Sequence, residues 1–178
     1  MLRAHSIAEF KKMNTSSNPD SSLINHHLMT IGKLVGNAAA CDAVLFSTFK
    51  IISTCEFKIA HAIYYSPEAL STKKQIIKRI LTANADSEEE KIVEAIIKYV
   101  ETAQNQRNEV SHALLAMSTN DEGFVNFNPR RQSQAEKPVT TAFLDSLLKQ
   151  SGKAFINAYK AYDELCKKRK IPTKIDFQ

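Results

Sequence analysis

An apolar stripe with alternating spacings of three and four residues constrains the chain between residues 93 and 117 to a helix with one buried face. Its members are Val93, Ile96, Val100, Ala103, Val110, Leu114 and Met117, and Arg107 occupies the remaining place in the series. This spacing is what a helix presents to a hydrophobic core. A guanidinium on that face must find an acidic partner, reach solvent or face a wet groove, because an unpaired buried charge is very costly.

The same periodicity predicts helices on both sides of this one. We expect a long helical region from about residue 23 to 65, with a break at Gly32 or Gly36, since an unbroken helix of that length would span roughly 60 Å. A shorter helix is predicted with Pro67 in its first turn, an apolar stripe of Leu70, Ile77, Ile80 and Leu81, and an end near Asn84. A final helix is predicted from about residue 141 to 170. The predicted core positions of the long region are Ile31, Leu34, Ala38, Leu45, Phe49, Ile52 and Ile59, and those of the final helix are Leu144, Leu148, Ser151, Phe155, Ala158, Tyr162 and Leu165.

Two local signals refine the middle of the chain. Ser87-Glu88-Glu89-Glu90 has the form of a capping box and is expected to begin the helix that carries the stripe, which then runs to about Met117. Between Ser118 and Pro138 turn-forming residues dominate, with Phe124–Phe127 as a candidate extended piece.

Together these elements predict an all-α fold, an antiparallel bundle of four main helices plus a short N-terminal helix. A chain of 178 residues fits one domain with a single core. The predicted regions are a short N-terminal helix and loop in residues 1–22, the bundle in residues 23–170 and a C-terminal tail in residues 171–178.

Composition narrows the class of protein. The net charge of +5 favours an anionic partner. The cysteines Cys41, Cys55 and Cys166 are far apart and odd in number, so they suggest neither a disulfide framework nor a zinc site, and we expect a reducing cytoplasm. The segment Met1–Met13 lacks the apolar core of a signal peptide, and the apolar run Val35–Phe49 is too short to span a bilayer, so no membrane association is expected.

The hexad Arg107-Asn108-Glu109-Val110-Ser111-His112 matches the R-x4-6-H signature of HEPN domains in its R-N-x-x-x-H form. The order of a long helix, a shorter helix, the motif helix, a loop and a last helix is also similar to that family. The chain therefore resembles a HEPN domain over residues 23–165.

The resemblance implies one of two roles. Many HEPN proteins are metal-independent endoribonucleases, often toxins or defence effectors, that act as homodimers with their motifs facing across the interface. Such proteins often pair with a small nucleotidyltransferase as antitoxin. Other members are inactive and serve as RNA-binding or protein-interaction modules.

The motif suits cleavage of RNA by attack of a 2′-hydroxyl on the neighbouring phosphate, which leaves a 2′,3′-cyclic phosphate and requires neither metal nor cofactor. His112 is the candidate general acid or base, and Arg107 the candidate phosphate clamp. On a straight helix these residues lie about 140° apart, so a two-fold dimer is expected to complete the site. Asn108, four residues before His112, is the candidate residue to orient the imidazole.

Further residues are candidates for contacts with the RNA. Ser111 is a possible phosphate contact, and the paired basic residues are candidates to hold the backbone: Lys73, Lys74, Lys78, Arg79, Arg130 and Arg131. The cluster Lys167–Lys170 is interpreted instead as the basic end of the last helix, where cations favour the helix dipole. His26, His27 and His61 lack neighbours at ligand spacing, so no metal site is predicted.

Two other interpretations stay open at this point. Arg107 is a structural residue if it pairs with Asp42 or Glu56, both of which fall on the apolar stripe of the long helix. Such a pair is compatible with a site if the acid only positions the guanidinium. The second alternative is a plain helical scaffold whose hexad is coincidental.

Overall fold

The computed structural model describes residues 21–111, 114–117, 124–127 and 137–175. This part of the chain contains five helices, α1 (Ser21–Ser53), α2 (Phe57–Tyr65), α3 (Leu70–Asn84), α4 (Ser87–Ser111) and α5 (Thr141–Lys168). Between α4 and α5 it contains a small antiparallel sheet with the strand order β1-β2-β3, formed by β1 (Leu114–Met117), β2 (Phe124–Phe127) and β3 (Lys137–Val139). The predicted N-terminal helix lies outside the described residues.

Helices α1, α4 and α5 pack against one another and form the centre of the bundle. Near the end of α5, Arg169 bonds both Glu89, at the start of α4, and the backbone oxygen of Ile51, at the end of α1. Near the start of α5, Gln150 bonds Gln106, at the end of α4. Helix α5 therefore runs antiparallel to α4 and parallel to α1.

Helices α2 and α3 pack on α1. Tyr64, at the end of α2, and Lys73, at the start of α3, both bond Asp42, in the second half of α1. Asn84, at the end of α3, donates to the backbone oxygen of Ile52 at the end of α1. Successive helices therefore alternate in direction, which confirms the helical bundle predicted from the sequence.

The long helical region breaks at a different place from the one predicted. Helix α1 continues unbroken through Gly32 and Gly36, and the break follows Ser53, where Thr54 adopts a φ of 54°. After the break, α2 turns back along α1, so the buried face of α2 no longer follows the periodicity of α1. Ile59 is 53% exposed, and its assignment to the core was wrong. The break falls where α3 and α5 supply donors for the last carbonyls of α1.

The motif helix is also shorter than predicted. Helix α4 ends at Ser111, and Leu114–Met117 pairs with Phe124–Phe127 as a strand rather than continuing the helix. A short apolar run fits either structure, and the extended Phe124–Phe127, which was predicted, offers the backbone partners that select the strand. The cap of α4 is Asp86 instead of Ser87, because its Oδ1 accepts from the backbone nitrogens of Glu88 and Glu89 at 2.9 Å.

The buried hydrophobic residues form two clusters. The main cluster includes Leu45, Phe46 and Phe49 of α1 and the α4 stripe from Val93 to Val100. A smaller cluster consists of Leu34, Val110, Leu144 and Leu147. Of the predicted core positions, Leu144, Ser151, Ala158, Tyr162 and Leu165 in α5 are buried as expected.

The chain after α5 folds back onto that helix. Thr173 donates to Asp163 at 2.6 Å, Tyr162 donates to the backbone oxygen of Lys174 at 2.5 Å, and Ile175 packs against the main cluster. The described part of the predicted tail is therefore attached to the bundle.

One stretch of α1, Asn25–Ser53, is long and apolar enough to cross a membrane by length and composition alone. Half of its most apolar window is buried inside the fold.

Candidate functional site

Arg107 lies on the buried face of α4, as the stripe predicts. Val93, Ile96, Val100 and Ala103 are fully buried before it, and Val110, which follows, is 3% exposed. Arg107 itself is only partly buried and lines an open pocket. Of an acidic partner, direct exposure to solvent and a groove open to solvent, the structure shows the last for Arg107.

The pocket has a volume of about 690 Å³ and lies between α1, the start of α3 and the second half of α4. Its apolar lining comes from Val35, Ala38 and Ala39 of α1 and from Leu70 of α3. Its polar lining consists of Asp42, Glu68, Lys73, Glu101, Gln104, Asn105, Arg107 and Asn108. Two of the three predicted catalytic residues, Arg107 and Asn108, therefore share one pocket.

The guanidinium of Arg107 makes a single hydrogen bond to another described residue. Its Nη2 donates to Oδ1 of Asn108 at 3.0 Å, and its Nε is buried with no partner in the described part of the chain. An ion pair with Asp42 or Glu56 was the alternative interpretation, and the described contacts contain neither pair. Arg107 thus lines the pocket without an acidic partner among the described residues.

Asp42 is occupied by other groups. Its Oδ1 accepts from Lys73 Nζ at 3.2 Å and from the Tyr64 hydroxyl at 2.9 Å. The ammonium of Lys73 also lies over the rings of Tyr64, at 4.3 Å, and Tyr65, at 4.8 Å. This cluster holds α2 and α3 against α1 and satisfies a lysine that is only 8% exposed.

The electrostatics of this cluster keep its phenols protonated. Burial, followed by the nearby charge of Asp42, raises the pKa of Tyr64 far above its usual range. The same two causes raise the pKa of Tyr65 to about 12. Neither phenol is therefore suited to accept a proton near neutral pH.

The residues predicted to contact RNA lie in different environments. Lys74 forms an ion pair with Glu101 on the rim of the pocket, and Lys73 is held by Asp42, so both cations already have acidic partners. Lys78 and Arg79 are exposed on α3. Ser111 is the last residue of α4, and its side chain is outside the described atoms.

His112, Arg130 and Arg131 lie outside the described residues. The angle of about 140° expected between Arg107 and His112 assumed one continuous helix, whereas α4 is described only as far as Ser111. The structure therefore brings together Arg107 and Asn108, and the position of His112 relative to them stays a prediction.

The basic cluster at the end of α5 has a structural role, as interpreted from the sequence. Lys168 pairs with Asp86 and Glu88, and Arg169 pairs with Glu89. Among the histidines, His26 contacts Asp145 at 3.3 Å, and His61 belongs to an aromatic cluster around Phe46. Within the described ranges, no three histidine, cysteine or acidic side chains group closely enough to hold a metal ion.

Sequence reasoning missed four polar residues of the pocket, namely Glu68, Glu101, Gln104 and Asn105. Helical spacing gave a signal for two of them, because Gln104 and Asn105 stand four and three residues before Asn108 and therefore share its side of α4. Glu68 precedes α3, and no local pattern links it to Arg107.

Comparisons with family models, with curated proteins and with solved structures find no match to this chain.

Proposed function

We propose that this chain is a metal-independent endoribonuclease of HEPN type, of the toxin or defence kind, that cleaves RNA by 2′-hydroxyl attack to give a 2′,3′-cyclic phosphate. Arg107 and His112 carry out the chemistry and Asn108 supports them. The working form is a cytoplasmic homodimer, and a nucleotidyltransferase-type antitoxin is its expected partner.

The observation that carries this proposal is the state of Arg107. Its Nε is buried and unpartnered in the described part of the chain, yet the residue lines an open pocket. A structural arginine at a core position is expected to be neutralised by an acid, because leaving it unpaired is costly. An arginine held by its own neighbour Asn108, with donors to spare, is instead ready for an anionic ligand.

In this proposal each residue has a defined part. Arg107 donates to the phosphate oxygens and stabilises the negative charge that grows on them in the transition state. Asn108 fixes the guanidinium through its Oδ1, and His112 transfers the proton of the 2′-hydroxyl or of the leaving oxygen. Ser111, Lys74, Arg130 and Arg131 are the proposed contacts with the rest of the RNA.

The first test is cleavage of total cellular RNA by the purified chain in EDTA, beside the variants His112→Ala and Arg107→Ala. We expect cutting that leaves cyclic phosphate ends, and we expect each variant to reduce its rate by at least about 100-fold. End-group analysis of the products distinguishes this reaction from metal-dependent hydrolysis, which leaves no cyclic phosphate.

The matched control for the histidine variant is His26→Ala, because His26 contacts only the exposed Asp145 and His27 among the described residues and lies outside the pocket. Circular dichroism confirms that all variants are folded. Cutting that persists in both His112→Ala and Arg107→Ala would overturn the assignment of the site.

A second candidate function is a catalytically inactive HEPN-like module that binds RNA or a protein. The observation in its favour is that Lys73 in the pocket and Lys74 beside it are neutralised by Asp42 and Glu101, which leaves Arg107 as the lining cation without an acidic partner among the described residues. This module predicts RNA binding that weakens with salt while the RNA stays intact.

A further inference from the structure

The pocket beside Arg107 offers groups that the proposed cleavage chemistry does not use. Glu68, Gln104 and Asn105 line it, and none of the three has a hydrogen-bond or ion-pair partner among the described residues. Within the described ranges, a ligand that binds these three side chains therefore breaks no hydrogen bond or ion pair.

The opposite lining is apolar and made of small or branched side chains. Val35, Ala38 and Ala39 come from α1, and Leu70 comes from α3. Small apolar side chains beside solvent-accessible amides and a carboxylate suit a planar ring, whose faces are apolar and whose edges form hydrogen bonds. A nucleobase has this character, and single-stranded RNA presents its bases splayed out for such contacts.

The charges of the lining favour a base over a phosphate as the occupant. Asp42, Glu68 and Glu101 are countered there by Lys73 and Arg107, whereas a phosphate backbone requires an excess of cations. Asp42 and Glu101 are occupied by lysines, so Glu68 is the lining carboxylate without a cationic partner in the described part of the chain.

A carboxylate without a cationic partner, such as that of Glu68, distinguishes among the four RNA bases by the hydrogen-bond donors that each base presents. The two oxygens of Glu68 accept two hydrogen bonds, and guanine presents two adjacent donors, N1–H and N2–H, on one edge. Uracil presents one N–H between two carbonyl oxygens, which a carboxylate repels. The neighbouring edge of guanine carries the acceptors O6 and N7, which suit the amide donors of Gln104 and Asn105.

We propose that the pocket between α1, α3 and α4 binds a guanine base of the RNA adjoining the cleaved phosphate, with Glu68 as the residue that selects it. The inference rests on the proposed function in taking RNA as the ligand, and it adds the base preference. Gln104 and Asn105 contact the acceptor edge of the base, and Arg107 remains directed to the phosphate.

The test is calorimetric titration of the full chain with the four nucleoside 3′-monophosphates. We expect guanosine 3′-monophosphate to bind at least about tenfold more tightly than uridine 3′-monophosphate, since a two-bond contact to a base edge discriminates by that order. Glu68→Gln is expected to remove the difference between the two nucleotides, because the amide offers one acceptor in place of two.

A second variant tests the location without changing charge. Ala39→Leu fills part of the pocket and is expected to lower the affinity for guanosine 3′-monophosphate by at least about tenfold. The matched controls are Glu94→Gln, an exposed glutamate of α4 outside the pocket, and Ala62→Leu, an exposed alanine of α2. Both controls are expected to bind as the wild type does.

Failure of this inference is distinguishable from failure of the ribonuclease proposal. Equal affinity for all four nucleotides, no binding of any of them, or unchanged binding in Ala39→Leu would overturn the guanine site even if the chain cuts RNA. Selective binding of guanosine 3′-monophosphate by a chain that leaves RNA intact would support the site and count against the nuclease.

Discussion

At the scale of single residues, the backbone is strained at two positions, where a residue other than glycine has a left-handed conformation. Thr54 and Lys170 both have a φ of 54°, a region that costs an L-residue roughly 1–2 kcal/mol. Lys170 follows α5, where the backbone nitrogen of Ile171 bonds the oxygen of Cys166 at 3.0 Å, as in a Schellman motif. Thr54 separates α1 from α2, and its β-branched side chain makes the strain there more severe.

Thr54→Gly is therefore expected to stabilise the protein by about 0.5–1 kcal/mol, because relief of the strain outweighs the greater entropy of glycine in the unfolded chain. The measurement is the free energy of unfolding in urea. The control is Thr82→Gly within α3, where φ is helical and the same exchange is expected to destabilise. A destabilised Thr54→Gly variant would show that the threonine side chain itself supports the turn.

At the scale of helices, one side chain joins the ends of four of them. Arg169, just after α5, bonds both carboxylate oxygens of Glu89 at 2.7 Å and also donates to the backbone oxygens of Ile51 and Asn84. These contacts hold α4, α1 and α3 to the end of α5. A guanidinium is suited to this role because its planar donors serve a carboxylate and two carbonyls at once.

Arg169→Ala is expected to lower the free energy of unfolding by about 3 kcal/mol, since it leaves Glu89 nearly buried without its cation. Arg169→Lys is expected to recover part of this loss, because a lysine cannot reproduce the two-bond contact. Lys167→Ala is the control: its side chain is 76% exposed, and its ion pair with Asp163 contributes little. Equal stability of Arg169→Ala and Lys167→Ala would contradict the role of Arg169.

The same contact predicts how stability depends on pH. The hydrogen bonds from Arg169 lower the pKa of Glu89, against the opposing effect of burial. A carboxyl group whose pKa is lower in the folded state stabilises the protein above its unfolded-state pKa of about 4.3, and this stabilisation is lost as the pH falls through the folded-state pKa. Arg169→Ala is therefore expected to flatten the acid side of the stability profile, as followed by urea unfolding at a series of pH values. A wild-type slope in the variant would exclude this linkage.

At the scale of the whole molecule, one polar residue on α4 and one on α5 separate the two hydrophobic clusters along those helices. Along α4, Arg107 follows the residues of the main cluster and precedes Val110 of the smaller one. Along α5, Ser151 follows the smaller cluster and precedes the main one. Each of the two residues has a buried polar atom without a partner in the described part of the chain. The end of α4 that carries the motif is thus supported by the smaller cluster of Leu34, Val110, Leu144 and Leu147.

This division predicts uneven stability along α4. Amides of residues 104–110 are expected to exchange with solvent through openings of lower free energy than amides of residues 93–100. Leu144→Ala, at a cost of about 2–5 kcal/mol, is expected to speed exchange first at the motif end, whereas Leu45→Ala in the main cluster is expected to affect both ends. Native-state hydrogen exchange provides the measurement, and uniform exchange along α4 in Leu144→Ala would show a single cooperative core.

Local periodicity was enough to predict much of this fold and part of the candidate site. The end of α3 at Asn84, the buried positions of α5 and the inward placement of Arg107 agree with the local pattern, because spacings of three and four residues set the buried face of a helix within a few turns. The start of α3 at Leu70 differs from the prediction, which placed Pro67 in the first turn. The position of Arg107 on the pocket side was accordingly accessible from the sequence, and its freedom from an acidic partner was not.

What the tertiary structure alone decided depends on residues far apart in the chain. Asp42 is taken by Lys73, 31 residues away, which removes the partner expected for Arg107, and Glu89 is taken by Arg169, 80 residues away. The break after Ser53 likewise depends on donors from α3 and α5. Sequence by itself determined which face of each helix is buried, because that is set within a few turns. Only the packed bundle decided where helices end and which charges meet, because each carbonyl and each ion takes whichever partner the fold brings within reach.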